Sequence, residues 1–312
     1  MKRGKKIAAF ALMLLVLAAA TGASRGEETP SLRGYDKENG YVYLSLGRYP
    51  QTAAGEVRPI LWRVLTVDEE KAYLLSEYIL FARPMHITRK EAATEKLKAD
   101  YSRADYRDEL KGDFAQTELC EYLNGTFASE AFTPEEMDML LPCENFGKVF
   151  LVTRDDMKNK EIGLGSTNPG TTSEKKILAN PGVRAWGTEW AIRNNGMPEE
   201  EYPDPEERVY GRAGERVTVQ ETRLYVFQKR FGACSPWWAR TQSETDRRQA
   251  IATKDGGQIG RLEVARDNIG VRPALYLALD GYEVKSGSGT LEDPWIIAPR
   301  TEGAASETGS GE

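Results

Sequence analysis

Four residues in the last third of the chain are the ones best suited to bind something. Three lie in Trp237-Trp238-Ala239-Arg240, and the fourth is Arg272 in Gly270-Val271-Arg272-Pro273-Ala274-Leu275. Alternation along a strand would send Trp238 and Arg240 to one face and Trp237 to the other. An exposed indole can stack on a sugar ring or a cation, and a guanidinium beside it donates hydrogen bonds in a fixed fork. The plainer alternative is that both tryptophans anchor the core and Arg240 covers it. Arg272 sits between apolar residues of an inner strand. There it either pairs with a carboxylate or loop carbonyls and fixes local geometry, or it meets a ligand.

Other chemistry is limited by what is absent. His86 is the single histidine and lies in a charged stretch, so it reads as a surface residue. Any mechanism pairing histidine with serine, cysteine or a carboxylate would have to use it. One histidine and three scattered cysteines, Cys120, Cys143 and Cys234, do not supply zinc ligands at short spacing. No EF-hand loop, phosphate-binding glycine loop or nucleophile elbow occurs. The sequence implies neither a cofactor nor a metal, and it names no catalytic residue. Acid pairs stand at Glu135-Glu136, Asp155-Asp156 and Glu206-Glu207. Acids at helix starts complement the helix dipole or face solvent. A glycosidase would need two carboxyls across a gap of ~5–10 Å. Cys234 has no histidine near it and reads as inert or paired. An odd cysteine count leaves at least one thiol unpaired or intermolecular. If one disulfide forms, Cys120 with Cys143 is preferred, because both lie near one predicted helical segment.

These residues must be held by strands at the two ends of the chain and helices between them. Tyr41 to Leu46 reads as a strand closed by Gly47 and Tyr49-Pro50. Ile60 to Val67 reads as a second and Ala72 to Ser76 as a third, joined by a turn at Asp68-Glu69-Glu70. Leu119, Tyr122, Leu123 and Phe127 fall at helical spacing, with a break at Gly125. Thr133-Pro134-Glu135-Glu136 is a capping box that starts a helix carrying Met137, Met139, Leu140 and Leu141 and ending at Pro142. Lys148 to Val152 is strand-like, and Thr153 with Asp156 caps a short helix. Residues 163–182 read as a long loop, and Thr188 to Asn195 as a short helix. In the last third, Trp237 to Arg240, Gln249 to Lys254 and Gln258 to Val264 form a β-meander. Val271 to Leu279 closes it. Helices between an N-terminal hairpin and a C-terminal meander make an α+β arrangement.

The first residues have the three zones of a secretory signal peptide: Lys2, Arg3, Lys5 and Lys6, an apolar run from Ile7 to Ala20, and small residues to Ala23. The apolar run is shorter than the ~20 residues a spanning helix needs. Residues 1–23 are therefore expected to be removed, giving a secreted or envelope-associated protein with no transmembrane segment. Loss of four basic residues takes the formal net charge from −6 to −10. An acidic chain without a long basic run makes nucleic acid a poor partner. Residues 24–39 read as a flexible segment and 40–298 as a single domain. Insertions are expected at 84–116 and 198–222, and 299–312 reads as a disordered acidic tail.

The order of the pieces carries a resemblance. Gly47-Arg48-Tyr49-Pro50-Gln51, Ile60-Leu61-Trp62-Arg63-Val64-Leu65 and Leu74-Leu75-Ser76 come first. Leu123-Asn124 with Phe127, Ala131-Phe132 and Val149-Phe150-Leu151 follow. Trp237-Trp238-Ala239-Arg240 and Gly270-Val271-Arg272-Pro273-Ala274-Leu275 end the series, with Ser288 to Trp295 as its continuation. This resembles a family of bacterial exported domains without assigned activity, itself similar to the C-type-lectin-like superfamily. The resemblance implies a twisted antiparallel sheet with flanking helices and long loops. It also implies a binding module for a glycan or protein ligand at the cell surface. An enzyme of the formylglycine-generating kind, a carboxylate-based hydrolase and an adhesion scaffold are the alternatives. The calcium-binding triplets of lectins, Glu-Pro-Asn and Gln-Pro-Asp, do not occur, and Cys234 lacks the nearby second cysteine of the oxidases.

Overall fold

The computed structural model describes residues 32–86, 113–165, 182–194, 235–254, 257–266 and 269–300. All of them belong to the unit Leu32–Glu312. The expected signal peptide, the expected insertion at 198–222, Cys234 and the chain beyond Arg300 lie outside the described residues. So does most of the insertion at 84–116.

The chain is α+β, with strands predominating. The N-terminal strands are β1 (Tyr43–Pro50), β2 (Val57–Val67) and β3 (Lys71–Ser76), each antiparallel to the next. β-Branched, aromatic and leucine side chains favour these extended segments, and Leu44, Leu46, Ile60, Trp62, Val64 and Leu74 are all buried. Gly47 does not close β1. It has φ +68° at the point where the β1–β2 register shifts, so the strand bulges and runs on to Pro50. A Cβ there would meet the Phe132 ring at 2.6 Å and Ala131 O at 2.7 Å, which only glycine avoids.

The main sheet is completed by strands from later in the chain. β11 (Ala274–Ala278) lies antiparallel to β3, and β5 (Leu140–Leu141) and β6 (Val149–Phe150) pair with the other edge of β11. β12 (Tyr282–Ser286) and β13 (Trp295–Pro299) form a hairpin whose second strand runs parallel to β1. The resulting eight-stranded sheet has the order β12-β13-β1-β2-β3-β11-β5, with β6 beside β11. The expected closing strand from Val271 to Leu279 is therefore interrupted. Its first part, β10 (Gly270–Val271), pairs with β4 (Phe81–Ala82), and Arg272-Pro273 separates it from β11. The expected meander appears as a separate sheet of β7 (Trp238–Gln242), β8 (Gln249–Thr253) and β9 (Ile259–Glu263).

One helical run, α1 (Glu118–Tyr122) and α2 (Ala128–Ala131), lies beside the sheet. Gly125 does not break it, because Leu123–Phe127 form a π turn that carries the helix through. Phe127 packs at a tilt against Tyr49 and Phe81, and Phe132 stacks on Trp62, joining helix to sheet. Asn124 fastens the next segment. Its amide donates to Phe146 O and Val149 O, at 2.8 and 2.9 Å, and its oxygen accepts from Val149 N. The predicted capping box is present at Thr133 and Glu136, but helix α3 (Pro134–Asp138) ends before Leu140, which enters β5. Thr153 and Asp156 likewise cap α4 (Arg154–Lys158), and α5 spans Glu189–Asn194. Residues 32–39 are not loose. Leu32 is buried, Tyr35 N donates to Leu65 O, and Arg33 Nη1 donates to Gly40 O.

Candidate functional site

The four residues that sequence pointed to do not form a surface. Trp237 and Trp238 are fully buried, so neither ring is open to a sugar. Their indole N–H groups are spent inside the protein, Trp237 Nε1 on Val183 O at 3.0 Å and Trp238 Nε1 on Arg83 O at 2.9 Å. Two large apolar rings gain more by burial than by exposure once their N–H groups find carbonyls. Arg240 lies over the Phe146 and Phe150 rings and donates to Cys143 Sγ at 3.3 Å and Leu151 O at 3.4 Å. It is half-buried and covers the core.

Arg272 is fully buried. Its Nε donates to Ser76 O at 2.6 Å, and its Cζ lies 5.1 Å from the centroid of Trp237. Glu77 Oε2 is 4.0 Å from its Nη2, but that carboxylate is already held by Arg63, through Nε at 2.6 Å and Nη2 at 2.5 Å. Burial, and then the nearby Arg63, push the Arg272 pKa down to about 9.

Cys120 and Cys143 are free buried thiols, not a disulfide. Each has its own polar partner, Cys120 donating to Phe146 O and Cys143 accepting from Arg240. Burial, followed by Asp113, pushes the Cys120 thiol up to about 11. His86 is tied to Glu118 at 2.5 Å, with only 15% of its side chain exposed, rather than free on the surface. The described acid pairs stand at helix starts. Glu136 and Asp156 bond back to their own N-caps, and Asp156 also accepts from the Tyr73 hydroxyl at 3.0 Å.

The open site is elsewhere. A cleft of about 540 Å³ lies between α4 and the β8–β9 hairpin. Arg154 and Lys158 reach it from the helix, and Lys254 and Arg261 from the hairpin. Gln249, Ile251, Ile259 and Gly260 complete the lining. The Thr153 cap starts α4, and Arg154 N donates to Thr241 Oγ1 at 2.9 Å, fixing the helix against β7. The i, i+4 spacing of Arg154 and Lys158 puts both on one helix face. Pairing of Ile251 with Arg261 sets the hairpin register. Among the described residues only Arg154 has a carboxylate partner there, Glu244 at 3.4 Å, and that pair is exposed on the glutamate side and weak. Comparison with family models, curated proteins and solved structures found no match.

Such a cleft can do one thing well. Four cations focus a positive potential on a concave surface of an otherwise acidic chain, and that attracts anions. Its volume falls within the ~300–1,000 Å³ usual for ligand sites. Sequence reading missed all four cations. The helix spacing of Arg154 and Lys158 was visible, but nothing in the sequence joins that helix to a hairpin about a hundred residues later. Among the described residues no group of three or more His, Cys, Asp or Glu could hold a metal ion. No described helix is long and apolar enough to cross a membrane.

Proposed function

We propose that this chain is an exported binding module on a C-type-lectin-like scaffold, and that it takes an anionic glycan of the cell surface in the basic cleft. The convergence of Arg154, Lys158, Lys254 and Arg261 on one open cleft carries this reading. The signal-peptide pattern of residues 1–23 supports this reading, since export would bring such a module to envelope polymers. Ile259 offers apolar contact for the face of a sugar ring, while the cations take carboxylate, phosphate or sulfate groups. Among the described residues the lining holds no carboxylate, thiol or histidine, the groups that the oxidase and hydrolase alternatives would use.

The test is calorimetric binding of uronate- and phosphate-bearing wall polymers against neutral polysaccharides, at low and high salt. Saturable binding to the anionic polymers is expected, weakening as salt rises. It should be lost in the Lys254→Glu/Arg261→Glu protein with its melting temperature unchanged. Equal binding of neutral polymers, or no binding of any anionic one, would overturn the reading.

A further inference from the structure

The basic cleft does not involve Arg272, whose surroundings pose a separate question. Arg63 and Arg272 are both buried, and among the described residues one carboxylate, Glu77, stands against the two guanidinium groups. The cluster thus carries one positive charge more than it neutralises. Buried charges are ordinarily paired, because an isolated one costs several kcal/mol or more.

Hydrogen bonding points the same way. Among the described residues Arg272 Nη1 and Nη2 are buried without a hydrogen-bond acceptor, and the buried Tyr41 hydroxyl, which faces Arg63, has no acceptor for its own proton. Tyr41 belongs to the same cluster, its ring lying 4.6 Å from Arg63 Cζ, and its hydroxyl interacts electrostatically with Arg272 as well. The indole of Trp237 offsets part of the Arg272 charge but supplies no oxygen for the four N–H bonds of the two Nη atoms. Gly163, at φ +78°, lets the backbone approach the Tyr41 hydroxyl, where a Cβ would come within 2.3 Å. Donors with no acceptor, around a net positive charge, are the complement of an anion.

We infer that the Arg63–Glu77–Arg272 cluster binds one small monovalent anion, a halide or a formate-sized carboxylate, held by the Arg272 Nη atoms and the Tyr41 hydroxyl. Full burial of Arg272 excludes a polymer or a bulky acid. The lowered pKa of Arg272 agrees with a cation short of counter-charge.

The experiment is thermal unfolding of the full protein at constant ionic strength, exchanging bulky gluconate for chloride or for formate. A saturable rise of about 2–4 °C is expected once the anion exceeds its Kd several-fold. A rise with chloride alone marks a halide site, and a rise with formate alone marks a carboxylate pocket. Tyr41→Phe should keep the melting temperature in gluconate but weaken the anion response several-fold, whereas Arg272→Met should abolish the response. Should Arg272→Met fail to fold, bromide soaked into wild-type crystals gives the second reading, an anomalous peak within hydrogen-bond distance of Arg272. No anion-specific rise together with no such peak would overturn the inference.

Discussion

The side chain of Lys254 lies in the space that a side chain on Gly260 would need: a Cβ at Gly260 would come within 2.2 Å of Lys254 Cε and 2.8 Å of its Cδ. The lysine stem rests on bare backbone of the edge strand β9 beside the cleft. Gly260→Ala should push the ammonium aside while leaving the β8–β9 pairing intact. A loss of several-fold in anionic-glycan affinity is expected, with the melting temperature within about 2 °C of wild type, since the half-buried edge position need only displace the flexible end of a lysine. Unchanged affinity, read by calorimetry, would show that the glycine does not place the lysine.

The buried indoles make a different prediction. Trp238→Ala removes a ring that packs in the core and donates to Arg83 O. It should cost about 3–5 kcal/mol in denaturant unfolding. Any loss of ligand binding should track loss of folded protein. A folded Trp238→Ala protein of near wild-type stability would contradict the burial.

Cys120 and Cys143 should be alkylated only after unfolding, and without prior reduction, because both are buried free thiols. Mass mapping after alkylation with and without denaturant measures this. A peptide pair linked through Cys120 and Cys143 would refute it.

Alkaline pH should destabilise the protein. Burial, and next Glu77, raise the Tyr43 pKa to about 12; burial, and next Cys143, raise that of Tyr276 to about 12. Tyr41, Tyr49, Tyr73, Tyr78 and Tyr282 are raised too, burial being the largest cause for each. An unfolded tyrosine loses its proton near pH 10. Above that pH the unfolded chain binds fewer protons than the folded one, so stability is intact below about pH 10 and falls as pH rises through about 12. Arg272 acts oppositely. Its folded pKa lies below the unfolded value, so its contribution rises with pH above about 9. One arginine set against seven tyrosines leaves a net fall. Absorbance at 295 nm should show tyrosinate appearing late and together with unfolding. Early, independent ionisation of most tyrosines would count against it.

Strands with strong apolar character were legible in the sequence. Ile60 to Val67 and Ala72 to Ser76 are extended as their residues demand, and the two threonine capping boxes sit where their spacing puts them. Local rules failed where a tertiary contact decided. Gly47 and Gly125 carry the usual signals of an end, yet one makes a bulge under Phe132 and the other lies within a π turn. Leu140 and Leu141 continue a helical pattern but gain a partner in β11 and become a strand. β12 and β13 were not read as strands, although Tyr282 and Val284 alternate with Glu283 and Lys285 and β13 opens on Trp295-Ile296-Ile297. The cleft was hidden for the same reason, since its cations meet only through the packing of α4 against the meander.

The parallel pairing of β1 with β13 also sets when this protein can become itself. Leu44 lies beside Trp295, and Leu75 beside Ala274, so the first strands of the main sheet wait for the last. An emerging chain lacking its final strands would expose raw edges on both β1 and β3, and contacts this distant in sequence form slowly. Such a chain stays pliable until its last strands are available to pair. The same wiring makes a C-terminal truncation that removes β13 bare the edge of β1, at the far end of the chain from the cut.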